Sequence, residues 1–155
     1  MNKLGLRIPE KSLEYWENRL ENLDIDHQRE KFHDKNTLSL EDSDGLSIRL
    51  YPDRSDDFEK WEDSKVNGKH QIQGMSHVSL TVTSPERTEK LLKQVNLEKI
   101  EDGWFEAPDG SKIELKTSNQ TGTSGKGTVH HICFTDKDDE QGEMGENIQG
   151  MGFQP

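Results

Sequence analysis

The chain has 155 residues, of which 28% are hydrophobic and 33% charged, and its 31 acidic against 20 basic side chains give a formal net charge of −11. That balance excludes a protein that tracks nucleic-acid phosphates, which needs clustered Lys and Arg, and one that docks on an anionic membrane surface. The single cysteine, Cys133, excludes an intrachain disulfide, no apolar run approaches the roughly 20 residues of a membrane helix, and no signal-peptide pattern stands out, so the expected location is the cytoplasm.

In chain order, Leu4, Leu6 and Ile8 alternate with Gly5 and Arg7, which is the period of a strand. Pro9 stands where a helix tolerates proline, and Leu13, Trp16, Leu20 and Leu23 then form one apolar helical stripe. His27 to Phe32 is a third, less regular element. Thr37-Leu38-Ser39-Leu40 and Leu46-Ser47-Ile48-Arg49-Leu50 both alternate, with turn chemistry in Asp42-Ser43-Asp44-Gly45 between them. The order is strand, helix, three strands over residues 1–51. Residues 52–72 are polar and read as a linker, with Phe58 and Trp61 expected to dock it.

The same order returns over residues 73–117. Met75 to Val82 reads as a strand, and Thr83 or Ser84 can cap a helix that has Pro85 in its first turn and Thr88, Leu91, Leu92 and Val95 on its apolar face. Glu98-Lys99-Ile100, Trp104 to Ala107 and Ser111 to Lys116 supply three strands. Residues 118–127 are a Gly/Ser/Thr-rich connector. From 128 to 155 a third unit starts with a strand over 128–135 and continues with helical spacing at Met144, Ile148 and Met151. Repetition of one unit sets the expected fold: α+β, with paired βαβββ units forming a curved mixed-sheet barrel and the third unit incomplete.

Two of these units open their first strand on histidine, in His77-Val78-Ser79-Leu80-Thr81-Val82 and His131-Ile132-Cys133-Phe134-Thr135-Asp136. Together with Gly127-Thr128-Val129-His130 and Gly74-Met75-Ser76, they carry a resemblance to the vicinal-oxygen-chelate superfamily, which includes glyoxalases, bleomycin-resistance proteins and extradiol dioxygenases. The chain is most similar to the bacterial two-domain ring-cleaving dioxygenases. That resemblance implies four units in a row, of which this chain would hold the second, the third and the opening of the fourth, and so would be a fragment. It implies oxidative opening of a catechol- or hydroquinone-like aromatic by dioxygen at Fe(II) or another divalent metal. A glyoxalase-type lyase or isomerase and a metal-free small-molecule-binding module of the bleomycin-resistance type are the alternatives.

The chemistry needs two imidazoles and a carboxylate on one face of a metal. The resemblance makes His131 the first candidate ligand, with His77 and Glu114 as further candidates. His130 faces the other way by strand alternation, and no general base stands out. The positions of the first unit that match His77 and Glu114 hold Lys3 and Arg49, two cations. An Arg49–Glu114 ion pair is therefore expected to replace a metal between the two complete units. Which units pair is open, because His77 and His131 could instead share one metal. His27, His33 and His70 read as surface residues. Uncovered strand edges lead to the expectation of a homo-oligomer, such as a dimer.

Overall fold

In a computed structural model of the protein, residues 3–53 and 58–119 are described, together with Gly125, Val129 and Ile132. His130, His131, Cys133 and the helix expected in the third unit lie outside the described residues.

The first strand, β1 (Lys3–Pro9), is followed by a 3-10 turn over Glu10–Ser12 and then by α1 (Leu13–Asn22). Pro9 thus ends the strand and the helix starts four residues later. Leu13, Trp16 and Leu20 pack inward as their spacing requires, whereas Leu23 caps the helix and is 54% exposed. β2 (His27–Phe32), β3 (Lys35–Glu41) and β4 (Ser47–Asp53) form an antiparallel meander, and β4 returns parallel to β1. The second unit repeats this order with β5 (Met75–Val82), α2 (Pro85–Gln94), β6 (Glu98–Glu101), β7 (Trp104–Glu106) and β8 (Lys112–Thr117). Pro85 occupies the first turn of α2 and Ser84 its N-cap, but the Ser84 side chain makes no capping hydrogen bond.

The two units join along β1 and β5, which run antiparallel, giving one eight-stranded mixed sheet in the order β2-β3-β4-β1-β5-β8-β7-β6. Among the described residues the end strands β2 and β6 are not hydrogen bonded to each other, so the expected barrel is an open, curled sheet. Its ends nevertheless approach: the Phe32 ring lies 5.6 Å from Trp104, and His33 Nδ1 lies 3.7 Å from Glu101 Oε1.

Strand alternation sorts the side chains onto two faces. Ile8, Leu38 and Leu50 form the first core with Leu20 of α1. Val78, Phe105 and Ile113 form the second with Leu92 and Val95 of α2 and with Leu97. Each side chain so buried contributes about 1.5–3 kcal/mol. Val129 and Ile132 pack against this second core, beside a hollow of about 310 Å³ that Ile132 helps to line. The other face of the same strands is polar and aromatic, and it lines the inside of the curl.

The linker is anchored differently from the sequence expectation. Trp61 is 68% exposed, so the docking residue is Gln71. Its amide takes Trp61 N–H and donates to the Trp61 and Val66 carbonyls. His70, read as a surface residue, stacks on Tyr15 at 4.0 Å and bonds Ser12 Oγ through Nδ1 at 2.9 Å. No helix among the described residues is long and apolar enough to cross a membrane.

Candidate functional site

The register brings the four matched positions onto the concave face. Lys3 lies opposite Ser79, and Gly5 is flanked by Arg49 on one side and His77 on the other. Ser79 in turn lies opposite Glu114. Lys3, Arg49, His77 and Glu114 therefore share one cup, built half by each unit.

Arg49 is 7% exposed and His77 4%. Arg49 aims Nε and Nη2 at the same carboxylate oxygen, Glu30 Oε1, each at 2.9 Å. Lys3 Nζ reaches that oxygen too, at 3.2 Å, and donates to Ser39 Oγ at 2.9 Å. Glu30 thus bridges two cations. Burial raises its pKa, but the hydrogen bonds and charges of Arg49 and Lys3 outweigh that effect and hold its carboxyl below the usual range. The carboxylate that partners Arg49 is Glu30 from β2, not the expected Glu114. Glu114 instead accepts a short hydrogen bond from Ser79 Oγ, and Lys116 Nζ lies 3.0 Å from it. Alternation along His27–Phe32 could have found Glu30, because it puts Gln28, Glu30 and Phe32 on one face beside Ser39 and Arg49.

His77 is held as a neutral imidazole. Burial, followed by the positive charge of Arg49, lowers its pKa to about 3. Its Nε2 lies 3.2 Å from Arg49 Nη1 and its Nδ1 2.9 Å from Ser76 Oγ. A guanidinium can only donate, so Nε2 accepts and Nδ1 carries the proton that goes to Ser76. The ring lies flat against the Gly5 backbone, where a Cβ would overlap it. Around it stand Phe32, stacked at 5.0 Å, and Tyr51 and Trp104, edge-on at 5.7 and 5.9 Å.

A metal does not fit this cup. The one free-standing imidazole lone pair is taken by a guanidinium, and two further matched positions are cations that share the single carboxylate of Glu30 and leave a net positive charge. No cluster of three or more His, Cys, Asp or Glu able to hold a metal occurs among the described residues. His77 and Glu114, two of the sequence candidates, are brought into one cup but hold other partners. His131 lies outside the described residues. His33 sits at the rim, 40% exposed, beside Glu101, and His27 Nδ1 contacts the Ile25 carbonyl at 2.9 Å.

No protein-family profile matches the chain. Two curated relatives from Bacillus subtilis are named, provisionally, ring-cleaving dioxygenases. MhqO is 28% identical over 141 residues and MhqE 26% identical over 142, each alignment covering 86% of this chain. These alignments cover 45% and 47% of the two relatives, so the chain spans about half the length of the curated relatives it matches. A crystal structure from the same species, provisionally named a dioxygenase, matches over 98% of this chain and 52% of that one, with a TM-score of 0.85 at 24% identity. The repeated strand-helix-three-strand order, the β1–β5 seam and these likenesses agree: the chain has a glyoxalase-like fold and is similar over most of its length to proteins named as ring-cleaving dioxygenases.

Proposed function

We propose that this chain serves oxidative ring opening of catechol- or hydroquinone-like aromatics, with dioxygen as co-substrate, and that its two complete units form a metal-free half beside the reacting centre. The observation that carries this reading is the charge cluster of the cup. Lys3 and Arg49 occupy positions matched to His77 and Glu114 and share the single carboxylate of Glu30, and the positive charge left over supports a half that holds no divalent ion. His131, by the family resemblance, is the residue that would contribute to an Fe(II)-type centre. The similarity to relatives named as ring-cleaving dioxygenases supports the reaction class over a lyase or isomerase.

The test is Fe(II) and Mn(II) titration of the chain and of its His77→Ala and His131→Ala variants, followed by oxygen uptake with catechol and hydroquinone probes. Metal binding that survives His77→Ala and fails in His131→Ala is the expected result. Loss of bound metal in His77→Ala would place the ion in the cup and overturn the reading. Turnover of the aromatic without oxygen consumption would replace ring cleavage by isomerase chemistry.

A further inference from the structure

The linker between the two units carries chemistry of its own. Asn67 is followed by Gly68, and no other asparagine of the chain precedes a glycine. Asn67 is exposed; its Oδ1 accepts the Lys69 N–H at 3.1 Å and its carbonyl accepts the His70 N–H at 2.8 Å. We propose that Asn67 is a self-modification site: it loses its amide nitrogen to attack by the Gly68 nitrogen, and the isoaspartyl product loosens the linker from α1.

The turn prepares the attack. An asparagine side chain that bonds the backbone two residues on folds back over the peptide between, so Cγ of Asn67 is held on the side of the Gly68 nitrogen. The Lys69 N–H polarises the Asn67 side-chain carbonyl and is placed to receive the negative charge that builds on Oδ1 as Cγ becomes tetrahedral. Gly68 has no side chain to obstruct the approach. Its nitrogen gives its proton to hydroxide and bonds to Cγ; the Cγ–Nδ2 bond breaks, and ammonia leaves with a proton from water. A further water opens the cyclic imide at either carbonyl. Opening at the Asn67 backbone carbonyl leaves the chain running through the former side chain, longer by a methylene. The Asp44-Gly45, Asp102-Gly103 and Asp109-Gly110 pairs are poorer sites, because a carboxylate repels the attacking nitrogen anion.

The added length falls between fixed points. Before the turn, the Val66 carbonyl accepts Gln71 Nε2 at 2.9 Å. After it, the His70 carbonyl accepts Trp16 Nε1 at 2.9 Å and the His70 ring stacks on Tyr15. Ser12, buried just before α1, contacts both the Lys69 carbonyl and His70 Nδ1. The Gln71 bonds lie within the linker and move with it, whereas the Ser12, Tyr15 and Trp16 contacts are held in place by the first core. A lengthened backbone therefore gives way at His70.

The modification needs neither a metal nor a substrate, so it stands apart from the dioxygenase reading. The full chain is aged in mildly alkaline and mildly acidic buffer, and peptide mapping locates the altered residue. Ammonia release and isoaspartate at Asn67 are expected, faster in the alkaline sample. The aged protein should melt at a lower temperature and show a shifted Trp16 indole N–H signal by NMR. Asn67→Gln, whose longer side chain cannot close the same ring, should lose the reaction. Gly68→Ala, whose Cβ has only the flexible Lys60 stem in its way, should slow it severalfold. Fresh Asn67→Asp keeps both the acceptor and the chain length and should melt like the wild type. An intact Asn67 after ageing, wild-type ageing in Gly68→Ala, or isoaspartate at Asn67 with an unchanged Trp16 signal would each overturn the proposal. So would a fresh Asn67→Asp variant that melts as low as the aged protein, since charge and not length would then be the cause.

Discussion

Gly5 and His77 sit opposite each other across the seam between the two units, and the imidazole of one occupies the space where the other lacks a side chain. Gly5→Ala should therefore destabilise the fold by about 1–3 kcal/mol, the range for overpacking. In a His77→Ala background the same substitution should cost little. A double-mutant cycle by denaturant unfolding measures this coupling, and additive costs would mean the ring is free to move aside.

The charge cluster predicts a second cost. Glu30→Gln leaves Arg49, 7% exposed, and Lys3 without their shared counter-charge. Because the Glu30 side chain is itself 33% exposed, water moderates the loss, and about 2 kcal/mol is expected, between the values for buried and surface pairs. Arg49→Met with Glu30→Gln should recover most of it, as read from paired unfolding curves. A double variant as unstable as the single would show that the charges are not what matters.

Acid should act on the two groups in different windows. His77 has a folded pKa of about 3 against an ordinary value near 6.5. The unfolded chain therefore binds the extra proton, and stability falls as pH drops from about 6.5 towards 3, by up to about 1.4 kcal/mol per unit. Glu30 is also lowered, and its contribution is present above the ordinary carboxylate value of 4.5 and is lost as pH falls through its depressed folded value. Unfolding measured at pH 7, 6 and 5 should show a slope in the wild type that is shallower in His77→Phe. Identical slopes would mean that His77 is protonated in the fold.

Geometry suggests a gain-of-binding experiment. Lys3→His with Arg49→Glu puts an imidazole and a carboxylate at the first-unit positions matching His77 and Glu114. It also removes the guanidinium that occupies His77 Nε2. This double variant should bind Co(II) stoichiometrically, with the visible spectrum of a nitrogen- and oxygen-ligated ion, where the wild-type cup binds none. A spectrum that persists in its His77→Ala derivative would show that the ion sits elsewhere.

Much of this was legible in the chain, because the elements are amphipathic in simple periods. Leu6 and Ile8, Leu38 and Leu40, and Ile113 and Leu115 pack where alternation puts them, and the unit order follows from them. The partners across the cup were harder to read. Arg49 and Glu114 look complementary when two matched strands are compared, yet the guanidinium takes Glu30 from a strand whose composition, HQREKF, carries no hydrophobic signal until its last residue. A surface-like sequence concealed an inward carboxylate. Leu23 and Trp61 failed in the opposite sense: both are apolar by type, but one ends its helix and the other lies on an irregular segment, and both side chains are exposed.

Along β4 the chain alternates between two tasks. Ile48 and Leu50 belong to a hydrophobic core, while Arg49 between them belongs to the cup. β5 does the same with Val78 against His77 and Ser79, and β8 with Ile113 against Glu114. What the interior of the curl does chemically is thus written on every second residue, and what keeps the protein folded is written on the ones between. A scaffold arranged this way can change the charges that face into its cup while its architecture stays as it is.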